Sequence, residues 1–136
     1  MALIASDKMI RDFAEKDLGQ NETISSIVIG IVRTPFWALL NGLLGAMMMK
    51  QIVLALTNKR LIAIILDSTF NFIESYSIDL DEIEKYKKKT FGVNNMIDFK
   101  LKDGRIFKYG IPGIAINIKE QKTNCKMLLA YFKKNY

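Results

Sequence analysis

The chain has 136 residues, the size of one domain; half are hydrophobic, a quarter are charged, the net charge is +6 and histidine is absent. That apolar share excludes intrinsic disorder, and the missing histidine excludes Ser-His and Cys-His nucleophile pairs and the common zinc sites. Cys125 is the single cysteine, so no intramolecular disulfide can form, and Met1–Ser6 has neither the basic region nor the long apolar run of an export signal. An intracellular, cytoplasmic setting is expected, with the membrane surface as the alternative.

Residues 7–18 place Met9, Ile10, Phe13, Ala14 and Leu18 at helical spacing, with Ser6 as N-cap and Gly19 at the C-cap position. Residues 22–33 are rich in β-branched side chains and predict a strand. Thr34 to Met49 (TPFWALLNGLLGAMMM) carries no charge over 16 residues. Thr34 suits an N-cap and Pro35 the first helical position, so an apolar helix is predicted over 34–49. Ala38, Gly42 and Ala46 lie four apart and form a stripe of small residues that lets another backbone approach. A spanning helix needs about 20 apolar residues, so a packing or oligomer helix is expected ahead of an interfacial one.

From Gln51 the pattern turns to β. QIVLALT and RLIAIIL flank Asn58-Lys59, a hairpin signal in which Asn58 would take the left-handed conformation. In STFNFIESYSI, Phe70, Phe72 and Tyr76 fall on one face with Glu74. LDEIEKY supplies a turn and opens the strand EKYKKKTF, and FGVNN turns into MIDFKL, with Ile97, Phe99 and Leu101 inward and Asp98 and Lys100 outward. Asp103-Gly104 predicts a type I′ hairpin before RIFKYGI, and Pro112-Gly113 ends the sheet. A last helix is expected over 117–134, capped by Asn117, with Ile118, Cys125, Leu128, Leu129 and Phe132 as its apolar stripe. Seven short, mostly antiparallel strands hide their edges by curling into a sandwich or barrel, and the final helix can plug its open end.

Charge is uneven along the chain. Residues 1–84 carry 7 Lys+Arg and 11 Asp+Glu (−4), while residues 85–136 carry 13 and 3 (+10), which sum to +6. An acidic partner, an anionic membrane or head-to-tail self-association fits such a gradient. Lys85, Lys87, Lys88 and Lys89 form the densest run. On a strand, Lys85, Lys87 and Lys89 share a face about 7 Å apart and can meet anionic headgroups, although an edge strand guarded by lysines is the preferred plain reading. Nucleic acid is disfavoured, because only Tyr86 and Phe91 stand near enough to stack bases. Asp79, Asp81, Glu82 and Glu84 do not match a calcium loop and read as a structural turn, and Cys125 reads as a buried structural cysteine. No metal or cofactor is expected, and no enzyme.

IVLALTNKRLIAII (Ile52–Ile65) resembles the apolar hairpin of bacterial pleckstrin-homology-like (PH-like) and GRAM-like domains. SIDLDEIEKYKKKTFGVNNMIDFKLKDGRIFKYGI (Ser77–Ile111) resembles their Ile-x-Leu-x-x-Ile turn, glycine turn and Lys-Asp-Gly hairpin, in the family's order. The resemblance covers roughly half the chain. It implies a mainly β fold with helices: a PH-like seven-stranded antiparallel β-barrel or sandwich capped by a C-terminal helix. To this are added the N-terminal helix and a helical insertion between strands 1 and 2, all as one domain over 1–136. It also implies a non-catalytic binding or assembly module. The basic pattern of phosphoinositide-binding relatives is missing, since only Arg33 and Lys50 stand in that region. The expected function is self-association as a homo-oligomer, or binding to another protein, through Trp37, Ala38, Leu40, Gly42, Leu44 and Ala46. The alternative is a peripheral membrane module in which the 34–49 helix inserts and Arg33, Lys50, Lys85, Lys87, Lys88 and Lys89 meet anionic lipid.

Overall fold

The computed structural model describes residues 7–16, 18–32, 51–67, 69–115 and 118–136. The expected 34–49 helix therefore lies outside the described residues, with Trp37, Ala38, Leu40, Gly42, Leu44, Ala46, Arg33 and Lys50. So do the two proposed caps, Ser6 and Asn117.

Helix α1 (Asp7–Glu15) precedes β1 (Ile24–Val32), β2 (Gln51–Thr57), β3 (Arg60–Leu66) and β4 (Phe72–Asp79). A 3-10 turn (Leu80–Glu82) leads to β5 (Ile83–Phe91), β6 (Asn94–Leu101), β7 (Ile106–Pro112) and helix α2 (Gln121–Asn135). The strands form one sheet in the order β4-β3-β2-β1-β7-β6-β5, antiparallel throughout. The sheet is not closed: its edges, β4 and β5, form no ladder with each other among the described residues.

The sheet is nonetheless strongly curved. β4 and β7 stand four places apart, about 19 Å if the sheet were flat. Yet the Tyr76 and Tyr109 hydroxyls are 2.6 Å apart, and the Tyr76 ring stacks on Phe107 at 5.5 Å between centroids. The concave face holds the larger core, where Leu54, Leu61, Ile78, Ile97, Phe99 and Tyr109 meet Cys125, Leu128 and Phe132 of α2. On the convex face of β1–β3, Ile10 and Ala14 of α1 pack with Ile27, Val53, Ala55, Ile62, Ile64 and Leu66.

These two cores explain the sequence pattern. β2 and β3 are covered on both faces, so they are continuous apolar runs. β6 alternates buried and exposed residues because one face alone is covered. A bulge between Ile65 and Leu66 alters the β4 register. Tyr76 and Ile78 face the concave core, whereas Phe72 stacks on Phe13 of α1 at 6.3 Å. Phe70 packs with the convex core from a turn outside the strand, so the expected common face of Phe70, Phe72 and Tyr76 is broken.

Several local expectations need correction. α1 ends at Glu15 rather than 18, and Gly19 is no left-handed cap: its N–H donates to Glu22 Oε1 at 2.9 Å, and Asn21 takes the positive φ (60°). The two-residue β2–β3 loop is where it was expected, but Asn58 is not left-handed. Instead the Thr57 hydroxyl accepts the N–H groups of Lys59 and Arg60, and Asn58 Oδ1 accepts the N–H of Thr23. The β6–β7 turn is not type I′. Gly104 alone has positive φ (94°), and Leu101 N–H donates to the Arg105 carbonyl, giving a three-residue loop with a glycine bulge. α2 begins at Gln121, later than expected, and Ile118 belongs to the convex core rather than to the helix stripe.

β1 and β7 share only two register pairs, Ile31↔Gly110 and Val32↔Tyr109. The buried Gln121 side chain bridges the strands where that ladder stops. Its Oε1 accepts Ile29 N–H at 2.9 Å, and its Nε2 donates to the carbonyls of Ile29 (2.9 Å) and Pro112 (2.7 Å). The close approach beside it requires glycine, because a Cβ on Gly30 would collide with the Gly110 carbonyl.

Candidate functional site

The chemistry-bearing residues that the fold gathers lie on the outer, convex side of β5–β6–β7. Ladder register fixes which side chains share that side. Lys85 pairs with Lys100, which pairs with Ile106; Lys87 pairs with Asp98, which pairs with Lys108; Lys89 pairs with Met96, which pairs with Gly110. Their neighbours along the strands (Tyr86, Phe99 and Phe107; Ile97 and Tyr109) turn inward to the concave core. Residues two apart on a strand are separated by about 7 Å, and neighbouring strands by about 5 Å. Five lysines therefore occupy an area of roughly 14 by 10 Å.

Lys85, Lys87, Lys89, Lys100 and Lys108 are all exposed. Against them stands one half-buried acid, Asp98, so the rows sum to +5 − 1 = +4. The bulge between Ile83 and Lys85 skips Glu84 at the end remote from the β5–β6 turn. No described helix covers this side: α1 packs over β1–β3 and α2 over the concave core. Two large apolar side chains also face water here, Met96 and Ile106, the latter 52% exposed.

The expected common face of Lys85, Lys87 and Lys89 is thus observed, and β5 is an edge strand, as the plain reading of its lysines required. Lys88 does not join them. It pairs with Ile97 on the side facing α2, near enough to Cys125 for its charge to act on the thiol. Sequence reasoning missed Lys108 as a member and had Lys100 only as an outward residue. The signal was present: in β6 and β7, Lys100 and Lys108 occupy the phase opposite to Phe99 and Tyr109. The charge gradient along the chain becomes a gradient in space, because β5, β6 and β7 are adjacent in the sheet.

No family model matches this chain, and no curated protein does. Among solved structures it resembles the C-terminal domain of an unknown protein from Leishmania infantum, at 16% identity and a TM-score of 0.53 over 93% of both chains. It also resembles the hSac2 domain of the human phosphoinositide phosphatase Sac2, at 12% identity and a TM-score of 0.53, covering 93% of this chain and 75% of that one. At these identities the likeness is one of fold.

The Cys125 thiol and the Tyr86 and Tyr109 rings belong to the concave core rather than to this side. Cys125 is 3% exposed, burial pushes its thiol up, and Asn95 Nδ2 donates to its sulfur at 3.5 Å. Burial raises the Tyr109 phenol well above its ordinary range and pushes Tyr86 up to about 12. Asp79, Asp81, Glu82 and Glu84 are exposed at the β4–β5 connection, and among the described residues no group of three or more Cys, Asp or Glu side chains is placed to hold a metal ion. No described helix is long and apolar enough to cross a membrane. A shallow depression of about 300 Å³ beside α1 is lined by Lys8, Met9, Asp12, Phe13 and Lys16.

Among the described residues the one strongly perturbed carboxylate is structural. Glu22 takes Arg60 in a two-point ion pair, Nε to Oε2 at 2.9 Å and Nη2 to Oε1 at 3.0 Å, and accepts the Thr57 hydroxyl at 2.7 Å. The Arg60 hydrogen bonds, first among several causes, lower its pKa from 4.5 to about 2. This knot ties the start of β1 to the β2–β3 hairpin, on the half of the sheet away from the lysines.

Proposed function

We propose that this chain is a non-catalytic binding module of the PH-like superfold, whose ligand is an anionic surface met by the outer side of β5–β6–β7. The observation that carries the reading is that no described helix covers this side, where five exposed lysines face one acid. Like charges held within about 7 Å repel one another, and a counter-charged partner relieves that repulsion. The superfold reading is supported by seven antiparallel strands followed by a helix on the concave side, and by the position of the 34–49 segment between β1 and β2. The non-catalytic reading is supported by the lack of histidine and by the burial of Cys125 and Tyr109.

Retention on an immobilised polysulfated glycan tests this. Replacing Lys85, Lys87, Lys100 and Lys108 by glutamine is expected to lower the salt needed for elution well below that of wild type. The charge-matched control replaces Lys122, Lys126, Lys133 and Lys134, exposed on α2, and is expected to elute close to wild type. Equal losses in both variants would reduce the effect to net charge and end the proposal.

A further inference from the structure

One end of the basic side differs from the rest. The β5–β6 hairpin closes through a two-residue turn, Gly92-Val93, with Phe91 opposite Asn94. Such turns usually present polar residues; this one presents Phe91 (60% exposed) and Val93 (58%). The chain leaving β7 comes to the same place: Gly113 N–H donates to the Val93 carbonyl at 2.6 Å, and the next residue is Ile114, 63% exposed. Single exposed apolar residues are ordinary, but three brought together from separate stretches of chain form a patch. No acidic residue occurs from Lys85 to Ile97 or from Arg105 to Lys119, the two stretches that build this end. The other exposed apolar pair, Phe72 and Ile73, has Glu74 beside it and no lysine within the strand.

The tip is held from beneath. Asn95 is buried, accepts the Thr90 hydroxyl at 3.2 Å and donates to the Ile111 carbonyl at 3.3 Å, linking β5, β6 and β7 below the turn. A held tip loses little conformational freedom on docking.

We propose that the anionic surface is a lipid bilayer, with Phe91, Val93 and Ile114 entering the interface and the lysines meeting its headgroups. This rests on the reading of the basic side given above. The combination decides between partners. Nucleic acid would call for aromatics spread among the lysines to stack bases, whereas here the exposed aromatic, Phe91, is segregated with Val93 and Ile114 at one end, and Met96 and Ile106 among the lysines are not aromatic. Segregation is what a bilayer asks for, because its apolar interior lies below its charge. Lys89 stands about 7 Å from Phe91 along the strand, within the Debye length of about 8 Å. Lys87 and Lys85 lie progressively farther, so a tilt that lowers the β5–β6–β7 side onto the surface brings them into play.

The test is sedimentation with vesicles of phosphatidylcholine alone and of phosphatidylcholine and phosphatidylserine in equal parts, run beside retention on the polysulfated glycan. Wild type is expected to bind the serine-containing vesicles and not the neutral ones. Phe91→Ser with Val93→Ser and Ile114→Ser is expected to lose roughly 30-fold or more in vesicle partitioning while keeping its glycan retention. Neutralising Lys87 and Lys89 is expected to cost about fivefold each. A Val93→Cys protein carrying an environment-sensitive dye is expected to shift to the blue on the anionic vesicles. Wild type that is retained by the glycan but ignores both vesicle types would overturn the bilayer and leave an acidic protein or nucleic acid as the partner of the basic side. Vesicle binding undiminished in the triple serine variant would overturn the role of the tip. Loss of both vesicle and glycan binding in wild type would sink the underlying reading as well.

Discussion

Replacing Glu22 by glutamine probes the best-defined electrostatic knot in the molecule. The Glu22 side chain is 2% exposed and Arg60 24% exposed. A drop from 4.5 to about 2 corresponds to a ceiling of about 3 kcal/mol, at about 1.4 kcal/mol per pH unit. Water reaching Arg60 reduces that to about 2 kcal/mol. The folded pKa is depressed, so this stability is fully present above the unfolded value of 4.5 and is lost as pH falls through about 2. Urea unfolding of wild type and Glu22→Gln is therefore expected to differ by about 2 kcal/mol at neutral pH. The gap should hold to about pH 5 and close mostly between about pH 4 and pH 2. Glutamine keeps the shape and one acceptor but surrenders the two-point pair, so a packing effect alone would give a gap that ignores pH. A gap of unchanged size at pH 2.5 and pH 7, or none at pH 7, would refute the assignment of the shift to Arg60.

Two further outcomes follow from other parts of the structure, and a third from the sequence alone. Gln121→Leu strands the Ile29 N–H and the Ile29 and Pro112 carbonyls; at about 1 kcal/mol or more for each, the loss is expected to reach about 3 kcal/mol in urea unfolding, with faster hydrogen exchange at Ile29. Phe132→Ala removes a fully buried ring that meets Phe99 edge-on at 4.6 Å and is expected to cost about 3–5 kcal/mol by the same assay. For the 34–49 segment, light scattering is expected to find an oligomer for wild type and a smaller species for Gly42→Leu with Ala46→Leu; a folded wild-type monomer would end the self-association reading.

Strand identity was legible wherever one face is wet. The alternation of β6, the Lys-Asp-Gly turn and the lysines of β5 all lay in the sequence, and so did the order of the seven strands along the chain. What escaped was set by contacts between residues far apart in the chain. Gly19 looks like a helix cap until Glu22 takes its N–H. Asn58 looks left-handed until Thr57 supplies the turn and Thr23 takes the asparagine. The extra residue of β4, Ile73, opposite Ile65 and Leu66, re-aims Phe72, and no local pattern announces it. The partnership of Gln121 spans 92 residues to Ile29, beyond any window of periodicity. The site was half legible for the same reason: the lysines of β5 are neighbours in sequence, whereas Lys100 and Lys108 join them only through the ladder.

The two kinds of strand in this sheet carry the deeper connection between pattern and function. A strand covered on both faces, such as β2 or β3, carries no charge between its end residues, and its register is held by packing on either side. A strand covered on one face must fill the other phase with something that tolerates water. In β5, β6 and β7 five lysines stand in that phase against one acid, although uncharged polar residues or an even mixture of both signs would have kept the strands soluble without mutual repulsion. Guarding the edge accounts for lysines on β5, but not for Lys100 on β6 or Lys108 on β7, which stand inside the sheet. Neither does it account for apolar residues gathered at the acid-free turn. Replacing Lys100 and Lys108 alone therefore separates the two roles. If lysine here serves only to protect an edge, the Lys100→Gln, Lys108→Gln protein stays monodisperse and keeps its full retention on the polysulfated glycan. If the side is a docking surface, that protein stays monodisperse but elutes at lower salt.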